Sequence, residues 1–415
     1  MPKGPDVNKD SKHETNWESL FWQVSQVFTP AVPVSEQELF AGRAGQIEKA
    51  IDAINQIGQH AVVYGERGVG KTSLANFLSS RLVTHSGERA IAPRVNCDAT
   101  DSFSSLWKKV LTKISVTETS QGPGFGGVAQ QKKRTGADVF KADQYSTPDA
   151  VRDLLVRVGK GRVLLVIFDE FDRLTDQPTR RALADTIKGL SDYAVPATIT
   201  VVGVADTVRE LIAEHESIDR SLIQIPMPRM ESKELDELLD KGTAKLGMML
   251  EAKARRTIVR LSQGLPPYTH RLALHATRSA LRGRRRTITE ADTKLAIRDA
   301  VENAQQSLRD NYREAVSSPQ AGNLFGQVLL ACAKAKTDNF GYFAAADVRS
   351  PMSRIMGKPY EIPSFARHLN SFCLPERGCV LRKEGEKHRY RYRFTNPLMQ
   401  PFVIMKGIVD SGNGT

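Results

Sequence analysis

A glycine-rich segment near residue 70 carries the residue types that bind a phosphate chain. It follows the pattern G-x-x-x-x-G-K-T, which ends at Gly70, Lys71 and Thr72. Glycines let backbone N–H groups face an anion, and a helix that begins at the lysine adds a favourable dipole. Lys71 is expected to bridge the β- and γ-phosphates of ATP, and Thr72 to ligate Mg²⁺. The predicted nucleotide contacts in this segment are Gly65, Glu66, Arg67, Gly68, Val69, Gly70, Lys71, Thr72 and Ser73.

An acidic pair follows an apolar run farther along the chain. Residues 163–168 are all apolar, and Asp169 and Glu170 come directly after them. A buried parallel strand that ends in two carboxylates presents both at the carboxyl edge of its sheet, where phosphates bind. Asp169 is predicted to hold Mg²⁺ through water, and Glu170 to polarise the attacking water. The alternative is a solvated acidic turn, which the phosphate loop upstream makes the weaker interpretation.

The elements that must position these residues alternate in type between residues 40 and 225. Short β-branched or apolar runs at 61–64, 163–168 and 199–204 alternate with stretches of helical periodicity. This alternation predicts a parallel sheet wrapped by helices, an α/β P-loop NTPase core. Residues 115–148 break the pattern with glycine-rich and basic stretches, which predicts a flexible surface insertion.

From Met230 onward the strand signals stop and helical periodicity continues, with one long helix expected from Thr289 to about Ser317. Helices at 325–335 and 364–372, followed by an alternating hairpin at 380–394, predict a winged helix-turn-helix. The predicted units are an N-terminal polar tail and helix at 1–37, a nucleotide-binding domain at 38–228, an all-helical lid at 229–317 and a winged helix at 318–410.

Basic residues concentrate in this last unit. In an alternating strand Arg389, Arg391 and Arg393 share one face, and the intervening tyrosines share the other. A row of guanidiniums suits a phosphate backbone or a minor groove, whereas the alternative is a solvated strand face with the tyrosines packed inward. The run 282–286, with four arginines, is either a second phosphate contact or a solvated loop. The predicted nucleic-acid contacts are Arg367, Arg382, Lys383, Arg389, Arg391 and Arg393.

Over residues 38–400 the chain resembles the AAA+ ATPases, in particular the origin-recognition and replication-initiator group. The run Asp-Glu-Phe-Asp-Arg-Leu at 169–174 is similar to the acidic box of that group. The run Phe-Ala-Gly-Arg at 40–43 is similar to an element shared by those initiators and the STAND signalling ATPases. Because this element lies near the adenine in both groups, the resemblance implies that Gly42 and Arg43 contact the nucleotide.

The resemblance also implies sensor and inter-subunit residues. Asp206 stands at the sensor-1 position, and Arg220 at the position of an arginine finger that reaches the γ-phosphate of the next subunit. The alternative for Arg220 is a surface ion pair. Gly-Leu-Pro at 264–266 is similar to STAND lids, in which the proline, here Pro266, packs near the nucleotide; Arg271 is the nearest sensor-2 candidate. The predicted catalytic residues are therefore Glu170, Lys71, Arg220 and Asp206.

Composition sets outer limits on the function. Lys and Arg outnumber Asp and Glu by 59 to 47 in 415 residues, for a net charge of +12, which favours an acidic partner such as nucleic acid. No apolar run approaches the ~20 residues of a membrane span, and residues 1–16 lack a signal-peptide core, so a cytoplasmic location is expected. The cysteines lack zinc or CxxC spacing and are expected to be reduced thiols: Cys97, Cys332, Cys373 and Cys379.

Two functional hypotheses follow. The first is a Mg-ATP-dependent switch that hydrolyses ATP slowly under partner control, self-associates through ATP-bridged interfaces and binds double-stranded DNA, as an initiator, loader, mobile-element or defence ATPase. The second is a STAND-like signalling ATPase whose winged helix is an internal lock and which regulates an effector protein. DNA affinity with steep salt dependence would favour the first.

Overall fold

The computed structural model describes residues 17–32, 42–81, 90–120, 130–159, 162–205, 208–211, 216–320, 322–386 and 389–412. Its helices, in chain order, are α1 (Trp17–Val27), α2 (Ala44–Asn55), α3 (Lys71–Arg81), α4 (Phe103–Thr112), α5 (Gly136–Val139), α6 (Pro148–Val158), α7 (Gln177–Asp192), α8 (Val208–Leu211), α9 (Ser232–Lys245), α10 (Ala252–Ser262), α11 (Pro266–Arg282), α12 (Glu290–Glu302), α13 (Gln306–Val316), α14 (Phe325–Ala333), α15 (Ala345–Met356), α16 (Pro363–Ser371) and α17 (Met399–Gly412). Its strands are β1 (His60–Gly65), β2 (Arg94–Asn96), β3 (Ser115–Ser120), β4 (Gln130–Thr135), β5 (Leu164–Asp169), β6 (Ala197–Val204), β7 (Leu222–Pro226), β8 (Met249–Leu250), β9 (Thr287–Ile288), β10 (Phe343–Ala344), β11 (Leu381–Glu384) and β12 (Arg391–Phe394).

The predicted α/β P-loop NTPase core is confirmed. Five described strands form a parallel sheet in the order β2-β5-β6-β1-β7. All six residues of β5 are buried, as the continuous apolar run predicts for a strand covered on both faces. The strand is shifted by one residue from the apolar run and ends on Asp169. Because all five strands run the same way, the end of β5 and the loop after β1 lie at one edge of the sheet.

Helices cover both faces of this sheet. On one face, Leu106 and Trp107 of α4 pack in the cluster that includes Phe168, and the Trp107 and Phe168 rings meet edge to face at 5.5 Å. On the other face, Leu74 of α3 packs in the cluster that includes Ile167. Successive residues of β5 thus point into different cores, and this sandwich holds the edge that carries Asp169 in place.

The predicted insertion at 115–148 contains regular elements among its described residues. Strands β3 and β4 pair antiparallel, with Ser115 opposite Thr135, and α5 follows. Gly136 is buried against the Leu111 carbonyl, and Tyr145 is also buried. Residues 121–129, the glycine-rich stretch, lie outside the described residues.

Five helices, α9 to α13, form the helical region after the sheet. The single long helix expected from residue 289 is wrong, because α12 ends at Glu302 and α13 begins at Gln306. Asn303 caps α12 by donating its N–H to the Asp299 carbonyl, and Gln305 has extended backbone angles. The backbone therefore leaves the helical conformation between Asn303 and Gln305.

Helix α1 and the C-terminal elements both pack on this helical region. Phe28, directly after α1, lies so close to Gly242 of α9 that a Cβ there would collide with its ring. Helices α14 to α16 precede β11 and β12, and β10 completes a sheet in the order β10-β12-β11. Their assignment as a winged helix stays a prediction. Within the described ranges, every helix is too short or too polar to cross a membrane.

Candidate functional site

The phosphate loop connects β1 to α3 and has a conformation that requires glycine. Gly65, Gly68 and Gly70 have φ angles of +151°, +89° and +98°. L-residues with side chains rarely adopt these angles. A Cβ at Gly65 would also collide with the Met227 carbonyl oxygen. The glycines therefore allow the loop to turn tightly at the sheet edge, in front of the first turn of α3.

Lys71 begins α3, and its ammonium group lies against the loop. Nζ donates to the carbonyl oxygens of Gly65 at 2.9 Å and Glu66 at 2.8 Å. Burial lowers the pKa of Lys71 to about 8, against the opposing pull of nearby carboxylates, first Asp172 and then Asp169. A phosphate oxygen is a stronger, charged acceptor than a carbonyl oxygen, so an incoming phosphate can displace these two bonds.

Asp169 is the last residue of β5, and its carboxylate is buried. Oδ2 accepts from Arg94 Nη2 at 2.7 Å and Nε at 3.1 Å, and Oδ1 accepts from the Glu170 N–H at 2.8 Å. Arg94 on the neighbouring strand β2 also donates to Asn76 of α3 at 2.7 Å. The strand pairing therefore gives Asp169 a cationic partner that the sequence analysis did not identify.

Glu170 directly follows β5 and has a left-handed backbone, with φ of 55°. Its Oε2 accepts from Arg173 Nη1 at 2.9 Å, and the two side chains are partly exposed. Non-glycine residues in this conformation are uncommon and concentrate at functional positions. The predicted base is thus at the sheet edge but is bound to a neighbouring guanidinium.

Thr72 and Asp169, the predicted Mg²⁺ ligands, line one cavity. A hydroxyl and a carboxylate oxygen are donors that Mg²⁺ accepts, and Mg²⁺ usually keeps several waters beside one or two protein ligands. Contact of Asp169 with Mg²⁺ through water, as predicted, is compatible with the Arg94 ion pair, since a carboxylate has about four acceptor positions and three are used by Arg94 and the Glu170 N–H. The residues present therefore fit the metal.

The cavity has a volume of about 700 Å³ and is bounded by several parts of the chain. The phosphate loop and the acidic edge form its base, and residues 29–32 after α1 form one wall. Pro266, Pro267 and His270 from the start of α11 form a second wall, and Leu398 from the C-terminal region closes it. The volume lies in the range of small-molecule and cofactor sites.

His270 and Leu398 are cavity residues that the sequence analysis missed. His270 Nδ1 accepts the Thr29 N–H at 3.3 Å, and burial lowers the pKa of His270 to about 4, so the imidazole is neutral. Helical spacing could have identified it, because it follows Pro266 by four residues on α11. Leu398 has no such signal: it meets Gly68 only through tertiary packing.

Arg43 contacts the phosphate loop from behind, whereas the Gly42 N–H donates to Glu237 of α9 at 3.0 Å. Arg43 Nη2 donates to the Val69 carbonyl at 3.0 Å and to the Pro228 carbonyl at 2.7 Å. Burial lowers the pKa of Arg43, although Glu234 lies nearby. Neither Gly42 nor Arg43 is among the residues that line the cavity in the described part of the chain. Phe40 and Ala41 of the same element lie outside the described residues.

Glu66 of the loop turns its carboxylate toward Arg229 rather than into the cavity. Nε of Arg229 donates to Oε1 of Glu66, and Nη2 donates to Oε2 at 3.3 Å. Nη1 of Arg229 donates to Gln400 Oε1 at 2.5 Å. All three side chains are buried. The sequence analysis did not identify Arg229 or Gln400, since neither stands in a recognisable motif.

The predicted arginine finger, sensor-1 and sensor-2 residues lie apart from this cavity or outside the described residues. Arg220 is 77% exposed at its side chain and pairs with Asp192 at 3.1 Å. Arg271 lies over the Tyr268 ring at 5.8 Å and is not among the lining residues of the described cavity, whereas Pro266 is. Asp206 lies outside the described residues.

On the C-terminal hairpin, Arg391 and Arg393 lie on one face, as alternation predicts. Their guanidiniums are each 4.7 Å from the centre of the Tyr342 ring. Arg391 also pairs with Asp338 at 3.3 Å, and Arg393 is only 9% exposed. Tyr392 faces the opposite way and is buried. These two arginines therefore have partners within the protein that the sequence analysis did not predict.

The other predicted nucleic-acid residues differ in accessibility. Arg382 pairs with Glu384 at 2.8 Å, and Lys383 donates to Asn370 at 2.9 Å. Arg367 on α16 and Arg389 before β12 are both exposed. Among the described contacts, neither of these two side chains has an ion-pair partner, whereas the exposed Arg382 and Arg391 each have one.

The arginine run at 282–286 contacts the protein itself. Arg285 pairs with the buried Asp292 at 2.8 Å. The guanidiniums of Arg282 and Arg286 lie 5.9 Å from the rings of Phe21 and Trp17 on α1, respectively. These contacts explain most of the run as part of the packing between α1 and the helical region.

Comparison with known proteins agrees with this geometry. Residues 39–200 match the family model described as the AAA ATPase domain. The chain is similar to the Aeropyrum pernix ORC2 protein, with 16% identity, coverage of 94% of this chain and 98% of that chain, and a TM-score of 0.50. It is also similar to the Walker-type ATPase PABY2304 of Pyrococcus abyssi, with 15% identity, coverage of 91% and 99%, and a TM-score of 0.52.

No curated protein matches the sequence. At these identities the solved structures establish the fold, and the family match establishes the ATPase domain. Together with the phosphate loop and the acidic strand end, they show that residues 39–200 form an AAA ATPase domain and that the chain has an origin-recognition-like fold.

Proposed function

We propose that the protein is a Mg-ATP-dependent switch that self-associates and binds double-stranded DNA through its C-terminal region, folded as a winged helix. The observation that carries the nucleotide part is the position of Lys71. Its ammonium group rests on two loop carbonyls beside a cavity whose edge holds Asp169 and Glu170. Binding of ADPNP and ADP by the similar ORC2 protein supports ATP as the ligand.

In this proposal each part of the site has one task. The loop N–H groups and Lys71 bind the phosphates, while Thr72 and Asp169 hold Mg²⁺. Bound Mg²⁺ would supply positive charge that neutralises the phosphate oxygens. Glu170 leaves Arg173 and orients the attacking water through its carboxylate. Pro266 and the neutral His270 exclude water on the side of the cavity formed by the lid.

Self-association is proposed from Arg220. Its guanidinium is exposed and bound only to an exposed aspartate among the described contacts, so it can reach outward without breaking a buried interaction. Exposed ion pairs of this kind contribute little to stability. A neighbouring subunit could therefore take this guanidinium at the γ-phosphate of its own ATP, which would make hydrolysis depend on assembly.

DNA binding is proposed from the exposed Arg367 and Arg389. Arg389 lies in the turn between β11 and β12, and Arg367 lies on α16, whose Asn370 accepts a hydrogen bond from Lys383 of β11. Two further cations of the hairpin, Arg391 and Arg393, lie over the Tyr342 ring. Fixed and free guanidiniums together form a surface that suits a phosphate backbone. The net charge of +12 favours the same partner.

A second candidate, the internal lock with an effector partner, is favoured by a specific contact. Leu398 lies against Gly68 of the phosphate loop, and its carbonyl accepts the Tyr268 hydroxyl at 2.8 Å. The C-terminal region therefore closes the cavity as part of the same polypeptide. In this candidate the nucleotide is bound while the C-terminal region closes the cavity. Movement of that region away from the cavity would signal to another protein.

Two variants test the nucleotide part, with Mg-ATP binding followed by calorimetry and hydrolysis by phosphate release. Lys71→Ala should abolish binding, because it removes the ground-state charge. Glu170→Gln should bind ATP and lose roughly a hundredfold or more in hydrolysis, since it acts mainly on the water. Wild-type turnover in Glu170→Gln would refute the assigned base. A folded wild-type protein that binds no ATP would refute the proposal itself.

A further inference from the structure

The phosphate loop contains a carboxylate whose charge must be neutralised before the loop can receive phosphates. Glu66 is 3% exposed and its backbone carbonyl accepts from Lys71 at 2.8 Å. Phosphates that bind the same loop add negative charge close to this carboxylate. Like charges in a buried site repel strongly, because little water is present to screen them.

Arg229 supplies the neutralising charge from a distant part of the chain. It lies 163 residues after Glu66, on the segment between β7 and α9, and both of its donors on that side point to the Glu66 carboxylate. Gly341 leaves the space that the guanidinium occupies, since a Cβ there would lie 2.5 Å from Nη2. The pair is therefore enclosed by residues of three regions.

The same guanidinium also contacts the C-terminal helix, α17. Nη1 of Arg229 donates to Oε1 of the fully buried Gln400 on α17 at 2.5 Å. Gln400 in turn donates through Nε2 to the Ala333 carbonyl at 3.0 Å and to Gln263 Oε1 at 3.2 Å. A continuous set of buried polar contacts thus connects Lys71, through Glu66 and Arg229, to α17 and α14.

We propose that Arg229 is a positioning residue for nucleotide binding: it neutralises Glu66 and connects the phosphate loop to α17 through Gln400. This inference rests on the proposed binding of ATP and adds a route by which the C-terminal region influences it. Because coupling between two sites is reciprocal, docking of α17 favours ATP binding and ATP binding favours docking of α17.

The neutralising role is tested with Arg229→Met, alone and combined with Glu66→Gln. The single variant leaves a buried carboxylate unpaired and should weaken Mg-ATP binding by roughly tenfold or more. The double variant removes that charge and should recover most of the affinity. If the arginine matters only as packing, the double variant will bind no better than the single one, and the proposal is overturned.

A matched control tests whether the loss of Mg-ATP affinity is specific to unpairing Glu66. Arg285→Met likewise unpairs a buried carboxylate, that of Asp292 in the helical region, but away from the cavity. It should lose stability without changing Mg-ATP affinity. If Arg229→Met fails to fold, the double variant and Arg229→Lys, which keeps the charge, still allow the comparison.

The coupling role is tested with Gln400→Met, which cuts the connection to α17 but touches neither Glu66 nor the phosphates. It should weaken Mg-ATP binding several-fold in the wild type and have no effect in Arg229→Met/Glu66→Gln. Hydrogen exchange of residues 399–412 should slow when Mg-ATP is added to the wild type, but not in that double variant. Equal effects of Gln400→Met in both backgrounds would overturn the coupling. Loss of ATP binding in the wild type would instead refute the proposed function.

Discussion

The Glu170 carboxylate lies 2.9 Å from the Arg173 guanidinium, one turn of 3-10 helix away. The residue predicted to orient the attacking water is therefore engaged by a partner on its own turn. Both side chains are partly exposed, so the contact is weak enough to exchange when a γ-phosphate arrives to attract the guanidinium. The pair gives the site a resting arrangement in which Glu170 is present but not directed at substrate.

Arg173→Ala should release Glu170 and raise basal hydrolysis by roughly two- to fivefold, the range expected for loss of one exposed ion pair. The measurement is steady-state phosphate release at saturating Mg-ATP. Arg181→Ala, which removes an exposed arginine of α7, is the matched control and should leave hydrolysis unchanged. A fall in hydrolysis for Arg173→Ala alone would show that Arg173 contacts the reacting phosphate instead of restraining Glu170.

The lowered pKa of Lys71, about 8, predicts a pH dependence of nucleotide affinity. Below pH 8 the lysine is charged before ATP arrives, whereas above pH 8 binding must recharge it. Mg-ATP affinity should therefore fall as pH rises from 7.5 to 9.5, approaching about tenfold per pH unit at the upper end. Lys71→Arg, whose side chain stays charged, should show a flat profile over the same range in whatever affinity it retains.

Mg-ATP affinity should fall as pH rises, but the lowered pKa of Lys71 has the opposite effect on the free energy of unfolding without nucleotide. The unfolded lysine keeps its proton up to the ordinary pKa of 10.5, so between pH 8 and 10.5 the unfolded chain binds more protons than the folded one. Within that window this group makes the folded protein more stable as pH rises. Urea denaturation of wild type and Lys71→Met at pH 7.5 and 9.5 would isolate the effect. A contribution that decreased with pH would contradict the burial of the ammonium group.

Arg220→Ala should leave Mg-ATP binding by the monomer intact and suppress hydrolysis, if its guanidinium acts on a neighbouring subunit. Mixing it with Glu170→Gln should restore part of the activity, because one kind of mixed interface joins an intact Glu170 to an intact Arg220. Phosphate release over a series of mixing ratios measures the recovery. No recovery in subunits shown to co-assemble would exclude a shared active site.

Arg367→Ala/Arg389→Ala tests the DNA surface at its two exposed cations that lack an ion-pair partner among the described contacts. Each lost phosphate contact should change the slope of log K against log salt by about 0.9, so the double variant should flatten it by about 2 units. Binding of a DNA duplex is measured by anisotropy over a salt series, with Arg298→Ala on α12 as the control. An unchanged slope in the folded double variant would favour the internal-lock candidate.

Sequence alone was sufficient where a function depends on residues that are neighbours along the chain. The loop from Gly65 to Thr72 is local, so its pattern predicts strand, turn and helix together, and the apolar run before Asp169 predicts a buried strand. The alternation of arginine and tyrosine around Tyr392 is also local, so the sequence predicted which arginines share a face of the strand. The break after Glu302 was missed because apolar periodicity continues across Asn303.

Tertiary structure decided which of these residues are free and which are already bound. Arg94 reaches Asp169, Asp338 reaches Arg391, and Arg229 reaches Glu66 only after strands and helices far apart in sequence have packed together. Leu398 meets Gly68 by the same route. Charge pairing and burial depend on distances in space. A local sequence pattern carries no information on which distant side chain will pair with a given residue. The sequence therefore determined the nucleotide chemistry, and packing determined its restraints and its connection to the C-terminal helix.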